Sequence, residues 1–360
     1  MRILIATNSY PTKKNPTRQV FVKNIYSEIK ILNIKTDLVY NRYFRVFKSD
    51  LGAGTVFTSF FKVIAMAVSY AYCLLRYRNY EIIYSHGSIL PGIFVMLTKP
   101  FHNAKHVCYA HGSEEEYLIR KGLLFRISRF VLKKSDLVVT NSIYMQELLK
   151  DNYGCQSALI HPGYNSRVFF YAPASKTIDI FFAGHAIERK GIDLLLKAIS
   201  EYEDYYRDRK LSIHIHFSGG AEKEYHHFAR KSGIDNIITF GGRLKEQQLA
   251  DHYRKTKIVV VPSKREPLGL VGIEAIACGA LLVASNTGGI KEYVKDGLNG
   301  FLFKNENYHD LHQKIKEALE QYTIHSKKLP SIAESVEGYS VRESAHNTIR
   351  IFNELISPAN

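Results

Sequence analysis

Two glutamates, Glu266 and Glu274, flank the run Pro267-Leu268-Gly269-Leu270-Val271-Gly272-Ile273 and stand 274 − 266 = 8 residues apart. A carboxylate can accept hydrogen bonds from two neighbouring hydroxyls, as a vicinal diol requires, so two carboxylates at this spacing could hold two sugar rings of one ligand. The competing reading is a pair of solvated charges. Against it, Glu274 sits in an otherwise apolar run, Leu-Val-Gly-Ile-Glu-Ala-Ile-Ala, where an unpartnered charge is costly. A short helix should begin near Gly269 and end at Gly279, a plausible C-cap. Its free N–H groups and positive dipole end suit a phosphate or a sugar hydroxyl, and the glycines let a ligand approach the backbone.

A second candidate is Phe181-Phe182-Ala183-Gly184-His185-Ala186-Ile187-Glu188-Arg189-Lys190-Gly191. A buried strand runs into a glycine turn, two cations follow, and an amphipathic helix begins. Arg189 and Lys190 stand where a phosphate would need neutralising. Taken alone, the stretch reads equally well as a solvated loop.

The elements that must position these residues alternate along the chain. Apolar, β-rich runs occur at residues 2–6, 36–40, 81–85, 105–110 and 136–140, then at 178–183, 211–217, 236–240, 257–262 and 280–285, with helical stretches between them. Nearly continuous apolarity, as in Ile258-Val259-Val260-Val261, marks strands buried on both faces of a parallel sheet. The series restarts near residue 176, after a turn-rich stretch over residues 161–175 that reads as a linker. An α/β protein follows, with two doubly wound, Rossmann-like parallel-sheet domains facing an interdomain cleft.

The 360 residues include 49 Lys+Arg against 34 Asp+Glu. Residues 1–175 hold 23 of the former and 10 of the latter, a net +13, which leaves 26 against 24, or +2, for the rest. A basic first half suggests an anionic partner such as lipid, nucleic acid or a charged glycan; a solubility charge is the plain alternative. The hydrophobic share of 46% excludes wholesale disorder. Cys73, Cys108, Cys155 and Cys278 form no C-x-x-C pair, so a reducing, cytoplasmic setting is expected. The opening apolar run, Ile3 to Ala6, is too short for a secretory signal. Residues 55–75 are the most apolar stretch and carry Lys62 as their single charge, but a strand follows directly, so a core helix or a membrane-surface helix is expected rather than a span.

Together these motifs resemble the retaining glycosyltransferases of family 4, which have the GT-B fold. The resemblance rests on Glu266-x7-Glu274 with Ala275-x-Ala277-Cys278-Gly279, on Ser285-Asn286-Thr287-Gly288-Gly289-Ile290-x-Glu292, on Asp296-Gly297-x-Asn299-Gly300, and on the Gly184 to Gly191 loop. Phe240-Gly241-Gly242 is similar to that family's nucleotide-base strand, and His161-Pro162-Gly163-Tyr164-Asn165 to its linker. It covers nearly the whole chain and is strongest over residues 160–303.

The resemblance implies an enzyme that moves a sugar from a nucleotide diphosphate sugar, UDP- or GDP-linked, to a glycan or lipid-linked acceptor. Residues 1–165, with a C-terminal helix over 340–360, would bind the acceptor, and residues 176–339 the donor. Glu274 would hold the ribose hydroxyls, Glu266 the transferred sugar, and backbone amides at Gly269, Leu270 and Val271 the sugar or phosphate. Lys190 would neutralise the diphosphate, with Gly184, His185, Arg189 and Arg243 as further donor-binding positions. In the first half, Tyr109-Ala110-His111-Gly112 is similar to a family strand end, which would set His111 beside the donor sugar.

Two positions depart from the family. His185 stands where an arginine is usual, and an imidazole is a weaker, titratable phosphate partner. The loop over residues 8–22 lacks the usual glycine. There is no D-x-D pair, so a metal-independent site without a cofactor is expected, with Lys190 and helix dipoles carrying the leaving-group charge. Glu114-Glu115-Glu116 reads as a charged helix start. Peripheral contact with an anionic membrane on the inner face is expected from helices near residues 57–75 and 118–134, and a bacterial cell-envelope polysaccharide route fits by analogy. A sugar-nucleotide epimerase on the same fold, a catalytically silent relative, and an anion- or nucleic-acid-binding module are the alternatives. No nucleic-acid motif appears, and nucleic acid is not expected as a partner.

Overall fold

The computed structural model describes residues 1–8, 10–11, 19–40, 68, 79–112, 115–116, 119 and 122–357. It divides into two units, Met1–Gly163 with Val341–Asn360, and Tyr164–Ser340.

The first unit carries β1 (Arg2–Thr7), α1 (Val20–Ile31), β2 (Lys35–Tyr40), β3 (Ile82–His86), α2 (Leu90–Thr98), β4 (Lys105–Ala110), α3 (Gly122–Lys134), β5 (Leu137–Thr140), α4 (Ile143–Tyr153) and β6 (Ala158–Leu159). Its strands pair in parallel in the order β2-β1-β3-β4-β5-β6. Alternate residues of one strand face opposite layers. Ile3 and Ile5 pack with Val22, Ile25 and Ile29 of α1, whereas Leu4 and Ala6 pack with Phe94 and Val95 of α2. Helices on both faces explain why the strands are apolar almost throughout.

The second unit carries β7 (Ile178–His185), α5 (Ile192–Glu201), α6 (Glu203–Asp208), β8 (Ile213–Ser218), α7 (Glu222–Lys231), β9 (Ile238–Gly241), α8 (Glu246–Lys255), β10 (Thr256–Val261), α9 (Leu270–Ala277), β11 (Leu281–Ser285), α10 (Ile290–Tyr293), β12 (Gly300–Phe303), α11 (Tyr308–Glu320), α12 (Tyr322–Ser326) and α13 (Leu329–Glu334). Its parallel order is β12-β11-β10-β7-β8-β9. Tyr164 and Phe169 are buried in this unit's core, so the stretch read as linker begins the second unit instead of standing free of it. The chain then returns: α14 (Val341–Ile356) buries Val341, Ala345, Thr348 and Phe352, at helical spacing, on the first unit beside α1. The expected helix over residues 57–75 apart from Val68, most of the loop over 8–22 and the start of the 118–134 helix lie outside the described residues.

Candidate functional site

In the second sheet, β10 and β7 are neighbours, and the chain leaves them towards opposite edges. Such a switch point opens a crevice beyond the carboxyl ends of both strands. Here it is lined by the segments after β7 and β10, which are the two motifs singled out above.

The two segments are tied together. Lys264 N donates to Arg189 O at 2.9 Å, and the Arg189 guanidinium donates to Arg265 O at 3.0 Å. Gly191 closes the turn with φ +67°, and a Cβ there would fall 1.7 Å from Pro262 O. Gly191→Ala should therefore lose about 2–4 kcal/mol of stability, combining left-handed strain with a backbone clash. Urea unfolding of the two proteins checks this; an unchanged midpoint would show that the loops are not locked together.

Glu266 is buried and has three partners. Lys190 Nζ lies 2.5 Å from Oε2, Ser263 Oγ donates to Oε2 at 3.1 Å, and an Arg189 guanidinium nitrogen lies 3.7 Å from Oε1. Burial pushes this carboxyl up, but the charges of Lys190 and Arg189 and the bonds from Lys190 and Ser263 outweigh it and hold the group below the usual range. The Glu266 backbone is fixed by the turn after β11: Gly289 N donates to Glu266 O at 3.1 Å. Gly288 sits against that same carbonyl with φ +51°, where a Cβ would lie 1.9 Å from the oxygen.

Glu274 lies in α9, whose N-cap Gly269 has φ +91° and accepts a 3.0 Å bond from the Tyr293 hydroxyl. No hydrogen bond or ion pair to the Glu274 carboxylate is found among the described residues. Burial, assisted by the negative charge of Glu246, pushes it up to about 8. Leu270 and Val271 form the first turn of α9, whose N–H groups have no intrahelical acceptor. Burial raises the Tyr293 phenol, and the charges of Glu266, Glu274 and Glu292, with the neighbouring Tyr339, push it the same way. Gly184 lies in β7, and His185 closes that strand exposed, 3.5 Å from Ser218 Oγ. Arg243 follows β9 and is exposed. Thus Arg189, Lys190 and Glu266 meet in one cluster, while Glu274, His185 and Arg243 stand outside its bonds.

In the first unit, His111 follows β4. Its Nε2 lies 3.0 Å from His86 Nδ1, its carbonyl accepts from Asn141 at 2.9 Å, and Phe21 packs against its ring. Burial pulls its imidazole down to about 3, so it is a neutral polar group, not a cation, near pH 7. Of the acidic run, Glu115 and Glu116 are helical, as a helix start requires. Glu115 is buried, accepting from Ser88 Oγ at 2.9 Å and Gly112 N at 3.0 Å, and Glu116 accepts from the Tyr144 hydroxyl. Ser263, Tyr293 and Gly288 were not assigned roles from the sequence. Only the last had a legible signal, in its Thr-Gly-Gly turn.

Residues 168–335 match the family described as Glycosyl transferases group 1, and residues 36–167 the one described as Glycosyltransferase Family 4. The uncharacterized glycosyltransferase MJ1178 of Methanocaldococcus jannaschii is 26% identical over 284 residues, 78% of each chain. The D-inositol 3-phosphate glycosyltransferase of Streptomyces bingchenggensis is 28% identical over 207 residues, 51% of this chain and 45% of its own length. This chain thus matches about half the length of that relative. Among solved structures, sucrose-phosphate synthase from Thermosynechococcus elongatus superposes with TM-score 0.82 at 17% identity over all of both chains. Anabaena HepE, solved with UDP and glucose, gives 0.71 at 18% over 98% of this chain and all of HepE.

Proposed function

The chain belongs to the family 4 glycosyltransferases with the GT-B fold, and on that premise we propose that it transfers a sugar, with retention of anomeric configuration, from a UDP- or GDP-sugar to a glycan or lipid-linked acceptor. The observation that carries this reading is the pairing of an unpartnered carboxylate on α9 with a compensated cation–carboxylate cluster at the same sheet edge. Glu274 takes the ribose diol, because it is the acceptor with unused capacity. Lys190 and Arg189 supply positive charge for the diphosphate, and no metal is needed for that task. Glu266, held ionised between them, orients the transferred sugar. A carboxylate so compensated is a poor nucleophile and a poor base, so the acceptor oxygen attacks the anomeric carbon on the face from which the diphosphate leaves, the bond to the diphosphate oxygen breaks, and that oxygen takes the acceptor's proton. Gly184, Gly269 and the first amides of α9 let the donor approach the backbone, and Arg243 flanks the base; His111, in the first unit, offers a neutral hydrogen-bonding group suited to a sugar hydroxyl.

A thermal-shift panel of UDP-, GDP- and ADP-sugars tests the assignment. One nucleotide should stabilise the protein, and both Glu274→Ala and Lys190→Ala should abolish that shift. No response to any of them would sink it in favour of a silent relative or a binding module.

His185→Arg puts a permanent cation where the imidazole stands. The donor KM should fall about 3–10-fold, the worth of one added charge-assisted bond. Initial rates against donor concentration would reveal it, and an unchanged KM would place His185 away from the phosphates.

The acceptor reading places the first unit on an anionic membrane as part of cell-envelope polysaccharide synthesis. On α3, Leu123 (70% exposed), Leu124 and Phe130 stand in solvent among Arg126, Arg129, Lys133 and Lys134. Phe101, just after α2, is 85% exposed, and α2 packs beside α3. Apolar side chains ringed by cations suit an interface with acidic lipid. Among the described residues no helix is long and apolar enough to cross a membrane. Co-sedimentation with phosphatidylglycerol vesicles should fall about tenfold in Leu123→Ser/Phe130→Ser and weaken with salt. Equal sedimentation with neutral vesicles would remove the membrane from this account.

A further inference from the structure

Away from the cation–carboxylate cluster, three histidines of the second unit converge. His214 and His216 are two apart on β8 and so share a face of the sheet. His252 comes from α8, and one ring nitrogen of each of the three lies within 4.8 Å of the others. From this we infer that His214, His216 and His252 form a binding site for a zinc-type divalent cation, which clips α8 to β8.

The rings are set as ligands are set. His216 Nδ1 is 3.1 Å from Gly242 O, and His252 Nδ1 is 2.7 Å from Gln248 O. A carbonyl can only accept, so Nδ1 carries the proton in both rings and Nε2 keeps its lone pair for a metal. This outer bond is what orients metal-bound imidazoles generally. The backbone makes room as well. Gly241 pairs with His216 across β8 and β9, and a Cβ at Gly241 would fall 2.1 Å from the His216 ring. Phe181 walls the rings of His216 and His252 at centroid distances of 5.6 and 5.3 Å. An all-imidazole set selects zinc, nickel or copper over the oxygen-seeking magnesium and calcium. Zinc at about 2.1 Å from each nitrogen needs them about 3.4 Å apart, so a pair at the 4.8 Å limit must draw in by about 1.4 Å. A water can take the fourth position, since all three residues keep partial exposure. The clip would fix the segment from Gly241 to His252, which joins the expected base strand to the helix bearing Glu246, without touching Lys190 or Glu266.

The test uses the full chain without an affinity tag, stripped by a chelator and titrated with zinc against a chromogenic competitor. One zinc per chain is expected, bound at micromolar concentration or tighter, with a rise of several degrees in melting temperature. Cobalt at the same stoichiometry should give the visible bands of a tetrahedral site. His214→Ala and His252→Gln should each weaken uptake about 100-fold, while the exposed control His346→Ala should not change it. Zinc taken up only at several weak sites, or a tight site that persists in His214→Ala/His252→Gln, overturns the inference. If that double variant does not fold, the wild type decides alone: no tight equivalent, or a cobalt spectrum of octahedral type, also overturns it. None of these readouts depends on sugar transfer, so failure here leaves the proposed activity standing.

Discussion

Glu274→Gln should reduce kcat/KM for the donor by at least about 100-fold and at the same time stabilise the protein at alkaline pH. The first effect follows from geometry. An ionised carboxylate accepts from both hydroxyls of a diol, each bond to a charged group being worth about 1.5–3 kcal/mol, and an amide can accept at only one of its two positions. The second follows from burial. The carboxyl has no partner among the described residues and is pushed up to about 8, whereas in the unfolded chain it titrates in the ordinary glutamate range. Between those values the folded state holds a proton that the unfolded state has released. Folding stability therefore declines as pH rises from about 4.5 towards 8, and the loss is complete above 8. Glutamine removes this dependence, and the variant should gain about 1–3 kcal/mol over wild type at pH 9, and less at pH 5. Urea midpoints across that range are the check. A variant less stable than wild type at pH 9 would mean that Glu274 has a partner in the folded state. Donor affinity in the wild type should rise towards pH 8, as the carboxylate ionises, and that rise should vanish in Glu274→Gln.

Lys190→Ala should lower kcat by about 10²–10³-fold, the usual loss when one preorganised donor to developing negative charge is removed. It also strips the nearest cation from buried Glu266, leaving Arg189 at 3.7 Å and Ser263. The Glu266 carboxyl, now held below the ordinary range, should rise. A group with a lowered folded value contributes stability that is present above the unfolded value and lost as pH falls through the folded one. Lys190→Ala should accordingly be less stable than wild type at pH 7, by about 2–3 kcal/mol, with the difference shrinking in acid. Adding Glu266→Gln separates the two effects. Lys190→Ala/Glu266→Gln should recover much of the stability, because no uncompensated charge is left buried, and none of the rate. Lys190→Arg should retain more activity than Lys190→Ala. If the double variant recovers activity together with stability, Lys190 serves folding and not the diphosphate.

What could be seen in the chain was local. Ile258-Val259-Val260-Val261 announces a strand buried on both faces because consecutive apolar side chains have no other use there. Gly269 and Gly279 bracket α9 because left-handed backbone, φ +91° and +77°, is open to glycine at little expense. The edge strands β6 and β12 escaped notice, β6 being two residues long and β12 leaving three apolar residues after the glycine that ends the Asp296 to Gly300 motif. Such short stretches leave too few residues for a period to show. The acidic run is legible as a charged helix start, but the burial of Glu115 is not, because its partner Ser88 lies 27 residues away along the chain.

The sequence by itself determined the two doubly wound sheets and the residue types of the candidate site, since periodicity, turn chemistry and motif spacing are properties of neighbours along the chain. The tertiary structure decided which of those residues meet. Lys190 and Glu266 are 76 positions apart and touch because β7 and β10 lie side by side in the sheet. His252 reaches His214 and His216 because α8 packs on β7, whose sheet neighbour β8 carries them. Strand order and helix packing are settled by burying all apolar faces at once, a condition on the whole unit that no window of sequence contains.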